Sequence, residues 1–133
     1  MSEGFKLEIV NPEKSFLLKD GVSEVVVPAF EGDMGILKDH ISIISFLRPG
    51  LLRIIDSKSS KETFYVEDGI IEFKNNCLSV LTSNIFDIKK IDKNIVKDFL
   101  AQAEQDVQKT DISDQKKYLL NQKIEVLKSM TLN

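Results

Sequence analysis

Cysteine occurs once, at Cys77, histidine once, at His40, and tryptophan not at all. One cysteine excludes an internal disulfide, and one Cys with one His is too few for the usual zinc ligand sets. No apolar run approaches the ~20 residues needed to span a bilayer. The opening MSEGFKLEIV has neither a basic n-region nor an unbroken apolar stretch, so a chain kept in a cytosol-like compartment is expected. Excess positive charge is also missing: 18 Lys and Arg face 21 Asp and Glu, a net −3, and neither half is basic enough for a nucleic-acid footprint. There are no internal repeats and no low-complexity tract.

What remains is an ordinary globular composition, 42% apolar and 29% charged over 133 residues, enough for one core with a small appendage. The chain is organised around Val25 to Leu52, where Val25, Val26 and Val27 break at Pro28. A partly acidic loop holding Gly32 and Gly35 follows, then an apolar strand from Ile41 to Leu47 that turns at Pro49-Gly50. Around it the period is two. Phe5, Leu7 and Ile9 alternate with Lys6, Glu8 and Val10, and Asn11-Pro12 ends that strand. Ser15 to Lys19 reads as a second strand, Asp20-Gly21 as a tight turn, and Val22 to Val27 as a third. Leu51 to Ile55, Thr63 to Val66, Ile70 to Phe73 and Leu78 to Leu81 continue the series, with turns at Asp68-Gly69 and Asn75-Asn76. Short strands at roughly ten-residue spacing predict an antiparallel sandwich or barrel.

The pattern changes near Lys89. From Asp92 onward there is neither Gly nor Pro, and Ile91, Ile95, Phe99, Ala103 and Val107 recur every four residues, widened by Val96 and Leu100. Asp92 is the expected N-cap. Asp111 or Ser113 can cap a second helix with Leu120, Ile124 and Leu127 on one face and Leu119, Val126 and Met130 beside it. The reading is therefore α+β: a sandwich over 1–88 followed by an antiparallel helical hairpin over 89–133. Helices of ~17 residues are marginal alone in water, so the hairpin depends on packing and is the expected mobile part.

Chemistry is sparse. Glu31, Asp33 and Asp39 lack the alternating acids and distal Glu of a calcium loop, and EGDMG lacks the Lys and Ser/Thr of a phosphate loop. His40 has Ser42 two residues on but no nucleophile elbow or oxyanion signal, and reads as a contact or packing residue. Cys77 reads as a small buried hydrophobe. The nearly neutral hairpin is too poorly basic for a lipid-surface amphipath, so docking on protein is expected. No metal, no cofactor and no active site are expected.

The stretch VVVPAFEGDMGIL, then His40, then LRPGLLRI closely resembles the ε subunit of bacterial and plastid F-type ATP synthases, equivalent to the mitochondrial δ subunit. Val10 to Pro12 with Glu13, the Gly21 turn, Leu47 to Gly50, and Val66 to Gly69 with Ile71-Glu72 add to the likeness. The resemblance implies a non-catalytic subunit of the central stalk, coupling rotation of the proton-driven c-subunit ring to the γ subunit for ATP synthesis. It also implies a peripheral place at the cytoplasmic face of the bacterial inner membrane, reaching the bilayer only through the complex. By position, Glu31, Gly32, Asp33 and Met34 fall where the family meets the c ring, and Asn11, His40 and Ser45 where it meets γ. The family's hairpin folds down on the sandwich or extends along γ to impede hydrolysis near the catalytic αβ hexamer. Here it offers Lys116, Lys117, Lys123 and Lys128 but no Arg. Some members bind ATP through [I/L]-D-x-x-R-A. Ile91-Asp92-Lys93-Asn94-Ile95-Val96 lacks the Arg and Ala, so no tight ATP site is expected.

Overall fold

The computed structural model describes residues 4–131. Nine strands precede two helices: β1 (Phe5–Asn11), β2 (Lys14–Ala29), β3 (Gly32–Leu37), β4 (Ile43–Leu47), β5 (Gly50–Asp56), β6 (Lys61–Val66), β7 (Gly69–Lys74), β8 (Cys77–Leu81), β9 (Ile85–Asp87), α1 (Lys93–Asp106) and α2 (Asp114–Thr131). Strands β1, β8, β7 and β4 form one layer, and β3, β2, β5, β6 and β9 the other. Between them Leu7, Ile9, Val25, Val27, Leu52, Ile54, Ile71, Phe73, Leu78 and Val80 are buried in a single core. Burial at alternate positions is what a two-residue period dictates, and each such side chain contributes roughly 1.5–3 kcal/mol.

Three expectations are corrected here. Asp20-Gly21 is not a hairpin turn, because β2 runs straight through it for 16 residues. Gly21 adopts a left-handed φ of 66°, and the register slips nearby, between Val22 and Glu24. The strand pairs with β1 before this bend and with β3 and β5 after it, so one strand serves both layers and turns the corner of the sandwich. The glycine loop is mostly strand, since β3 pairs with β2 from Glu24↔Leu37 to Ala29↔Gly32 and leaves only Phe30-Glu31 as the turn. Finally, the sandwich is not wholly antiparallel: β1 and β8 pair in parallel, Lys6↔Cys77 through Val10↔Leu81.

Pro49-Gly50 has a packing reason as well as a turning one. A Cβ on Gly50 would lie 2.5 Å from the Pro28 Cβ, so the two breakers of the central stretch press against each other and only glycine fits. Helix α1 begins at the expected cap, with Asp92 Oδ1 accepting the Asn94 N–H at 2.7 Å. Of the two caps open for α2, Ser113 serves, its Oγ accepting the Lys116 N–H at 3.1 Å. Helices α1 and α2 pack on each other and lie against the outer face of β5, β6 and β9, where Tyr65, Val96 and Leu127 are buried with Leu51, Phe86, Phe99 and Leu100. Tyr65 is thus enclosed by helices while its neighbours Phe64 and Val66 face the sandwich core, which is why three consecutive residues of β6 are buried.

Candidate functional site

The two outer faces of the sandwich differ. One is covered by the chain's own helices. The other, on β4, β7, β8 and β1, is open and carries an apolar row. Phe46 pairs with Ile70, Ile70 with Leu81 and Leu81 with Val10, all on outward positions. Phe46 is 65% exposed, Leu81 54% and Ile70 42%. The next row, Ile44, Glu72, Ser79 and Glu8, is largely polar apart from Ile44. At the end of the apolar row a trough of ≈ 790 Å³ opens between Phe30, Phe46, Ile70 and Leu81 and the start of α2 at Gln115 and Leu119. Exposed apolar bands of this kind mark binding surfaces for a protein, a membrane or a ligand.

Asn11, His40 and Ser45 all belong to this layer or its margins but do not form a cluster. Asn11 lines the trough and its Oδ1 accepts the Glu13 N–H at 3.1 Å. His40 lies toward the opposite end, its ring edge-on to Phe73 at 5.9 Å and its Nδ1 donating to the Ile41 carbonyl at 2.7 Å. Ser45 sits between them on an inward-facing position of β4, beside outward Ile44 and Phe46. Phe46, Ile70 and Leu81 are the residues that residue-by-residue reading missed. For Phe46 the signal lies in ISIISFL, where Ile44 and Phe46 put apolar side chains at alternate positions that a half-buried strand ought to fill with polar residues.

Glu31, Gly32, Asp33 and Met34 are brought together at the tip of the β2–β3 hairpin. Glu31 is exposed and Met34 packs on the core. Gly32 takes a φ of 145°, a conformation that side chains resist, although nothing lies within 4 Å of where its Cβ would be. Asp33 meets Arg48 at 3.3 Å. Asp39 lies apart, exchanging hydrogen bonds with Asn76 at 2.7 and 2.8 Å. Among the described residues no group of three His, Cys, Asp or Glu could hold a metal ion.

The hairpin lysines divide. Lys116, Lys117 and Lys128 are exposed, whereas Lys123 pairs with Glu67 at 2.9 Å and lies 5.5 Å over the Phe99 ring. The hairpin is therefore folded down on the sandwich, held by an apolar seam and by Lys123, Gln122 and Tyr118 at its edge. Burial drives the Tyr65 hydroxyl well above the ordinary tyrosine range, and the charge of Glu67 adds to the shift.

Residues 4–88 match the family described as "ATP synthase, Delta/Epsilon chain, beta-sandwich domain". An ATP synthase epsilon chain of Pelagibacter ubique is 67% identical over 130 residues, 98% of this chain and 99% of that one. The chain belongs to the ATP synthase epsilon-chain family. A more distant epsilon chain, from Parvibaculum lavamentivorans, is 29% identical over 98% of this chain and 97% of its own length. The fold is also that of a chain in the cryo-EM structure of the Euglena gracilis mitochondrial ATP synthase, OSCP/F1/c-ring. That chain has a TM-score of 0.78 and 18% identity, with 96% of this chain and 81% of that one covered. A chain of the Tetrahymena thermophila mitochondrial ATP synthase central stalk and c ring follows at 0.64 and 17%, with 95% of each covered. Within this epsilon chain the open row and the acidic turn both lie inside the family match. The helices lie beyond it but inside the alignment with the Pelagibacter chain. No helix among the described residues is long and apolar enough to cross a membrane.

Proposed function

We propose that the chain is a non-catalytic rotor subunit, gripped between a γ subunit and the ring of c subunits, that passes ring rotation to γ. The observation that carries this reading is the contrast between faces: the chain covers one side of its sandwich with its own helices and leaves Phe46, Ile70 and Leu81 open on the other. That row, with Asn11 at one end and His40 toward the other, is the γ-facing surface, and Ser45 lies on β4 between outward Ile44 and Phe46 with its own side chain turned inward. The turn of Glu31, Gly32, Asp33 and Met34 meets the c ring, where an acidic tip on a glycine hinge allows close, charge-matched approach. A two-layer sheet suits torque because its tightly packed core resists deformation. Assembly of the two low-identity neighbours with F1, a c ring or a central stalk supports the same placement.

The labour divides at residue 88. The sandwich over 1–88 couples, and the hairpin over 89–133 regulates, presenting Lys116, Lys117, Lys123 and Lys128 to the catalytic αβ hexamer when it leaves the sandwich. The complex works at the cytoplasmic face of a bacterial inner membrane, and this chain touches the bilayer only through its partners. No reaction takes place on it. His40 spends Nδ1 on a backbone carbonyl, and Ile95 and Val96 supply no guanidinium for ATP phosphates. Micromolar ATP binding by calorimetry would contradict that last point.

Phe46→Asp combined with Ile70→Asp tests the main reading. Both positions are exposed, so the fold should survive with unchanged circular dichroism, while co-purification with γ should be lost. Undiminished co-purification would overturn the assignment.

A further inference from the structure

Helix α2 reaches past the sheet it covers and holds the β2–β3 turn at two points. Tyr118 Oη donates to the Phe30 carbonyl at 2.8 Å, and the two rings lie 5.2 Å apart. Arg48, just after β4, bonds to Gln122 through one guanidinium nitrogen and to Asp33 at 3.3 Å through the other. Phe30 and Asp33 bracket Glu31 and Gly32, so both ends of the turn are tied to one helix. The turn needs such support. Gly32 occupies its φ of 145° with nothing within 4 Å of where its Cβ would be, so no neighbour pressed against that position holds its shape. At its base the turn is braced by the β2–β3 pairing at Ala29↔Gly32 and by the Phe30 N–H, which donates to the Phe46 carbonyl at 2.9 Å.

We infer that α2 is a clasp on the Phe30–Asp33 turn, so that docking of the hairpin and capture of this turn by a partner ring are linked equilibria. A turn already ordered by Tyr118 and by the Arg48–Gln122 bridge loses less entropy when a partner immobilises it. By reciprocity, a partner that holds the turn in its clasped form holds the hairpin down by the same factor. The rotor would then read the state of its regulatory hairpin at the ring end as well as at the catalytic end. This inference rests on the proposed assignment of the turn to the c ring.

The test uses the full chain and two variants. Tyr118→Phe removes one hydroxyl from the clasp itself. Lys123→Ala loosens docking at Glu67, without touching the turn. Amide hydrogen exchange is followed at residues 30–34 and along α2, and affinity for the detergent-purified c ring is measured in parallel. Both variants should quicken exchange at the turn together with exchange in α2, and weaken ring binding by about fivefold. Faster exchange in α2 with unchanged exchange at the turn would overturn the inference, as would no change in α2 with either variant. If the wild-type chain fails to bind the ring, the proposed function fails, and exchange in the isolated chain still decides the linkage.

Discussion

Tyr65→Phe should make the hairpin harder to release. The Tyr65 side chain is 0% exposed, enclosed between β6 and the helices, and its hydroxyl finds no hydrogen-bond partner among the described residues. With the hairpin away, that hydroxyl would be hydrated. Docking strips the water and returns nothing, at a cost of about 1–3 kcal/mol. The ring itself belongs where it is, stacked on Phe86 at 6.3 Å and packed with Val96 and Leu127. Removing only the oxygen therefore keeps the apolar contact and deletes the penalty. A gain of roughly 1–2 kcal/mol corresponds to about 5- to 30-fold slower hydrogen exchange for α1 and α2 amides that exchange by undocking. The same group predicts an alkaline release. Burial raises the docked pKa above the ordinary 10.0, so docking strength is complete below pH 10.0 and falls as pH rises beyond it, because only the undocked form ionises there. Tyrosinate absorbance should therefore rise together with hairpin exchange in the wild type, and this coupling should vanish in Tyr65→Phe. Unchanged or faster exchange in the variant would refute the reasoning.

Other outcomes follow from single contacts. Glu67→Gln leaves Lys123 in a site where both partners are only about one-fifth exposed, 21% and 19% for Lys123 and Glu67. It should weaken docking by about 1 kcal/mol, allowing for solvent screening, with the loss read as faster exchange in α2. Asp92→Ala removes the α1 cap and should cost about 1 kcal/mol, visible as fraying of Lys93 to Val96 in exchange or carbon chemical shifts. Asp56 accepts the Ser60 and Lys58 N–H groups at 2.9 Å each, and the Ser60 bond above all holds its carboxyl below the ordinary 3.8. The stability it lends the β5–β6 turn is present above pH 3.8 and is lost as pH falls through the depressed value, which a carboxyl-carbon titration would locate.

Local rules carried the strands whose pairing is local. Phe5, Leu7 and Ile9 alternate and are buried, and Asp92 caps α1 because the next residues offer free N–H groups and the side chain is the right length. Three features depended on which strands pair rather than on local propensity. Gly32, Asp33 and Gly35 have low strand propensity, and pairing with β2 overrides it. Gly21 bends β2 without ending it, because β1 and β5 take over its hydrogen bonds on either side. The β1–β8 pair joins residues some 70 positions apart in the chain, and no local pattern announces it. Helix α1 also presents Val96 rather than Ile95 to the sandwich, since Tyr65 and Leu127 decide which edge of the wide apolar stripe is covered. The same limit applies to the candidate site. The acidic turn was legible as a unit because its residues are consecutive. The apolar row was not, because Phe46, Ile70 and Leu81 come from three strands and meet only through register.

Proton-driven ATP synthesis by reconstituted vesicles is the most direct measurement. ATP synthase depleted of this chain should synthesise poorly, and adding the purified wild-type chain should restore coupling, while the Phe46→Asp, Ile70→Asp double variant should not. Equal coupling with and without the chain, or ATP turnover by the purified chain alone, would contradict a subunit that transmits torque and makes no bonds.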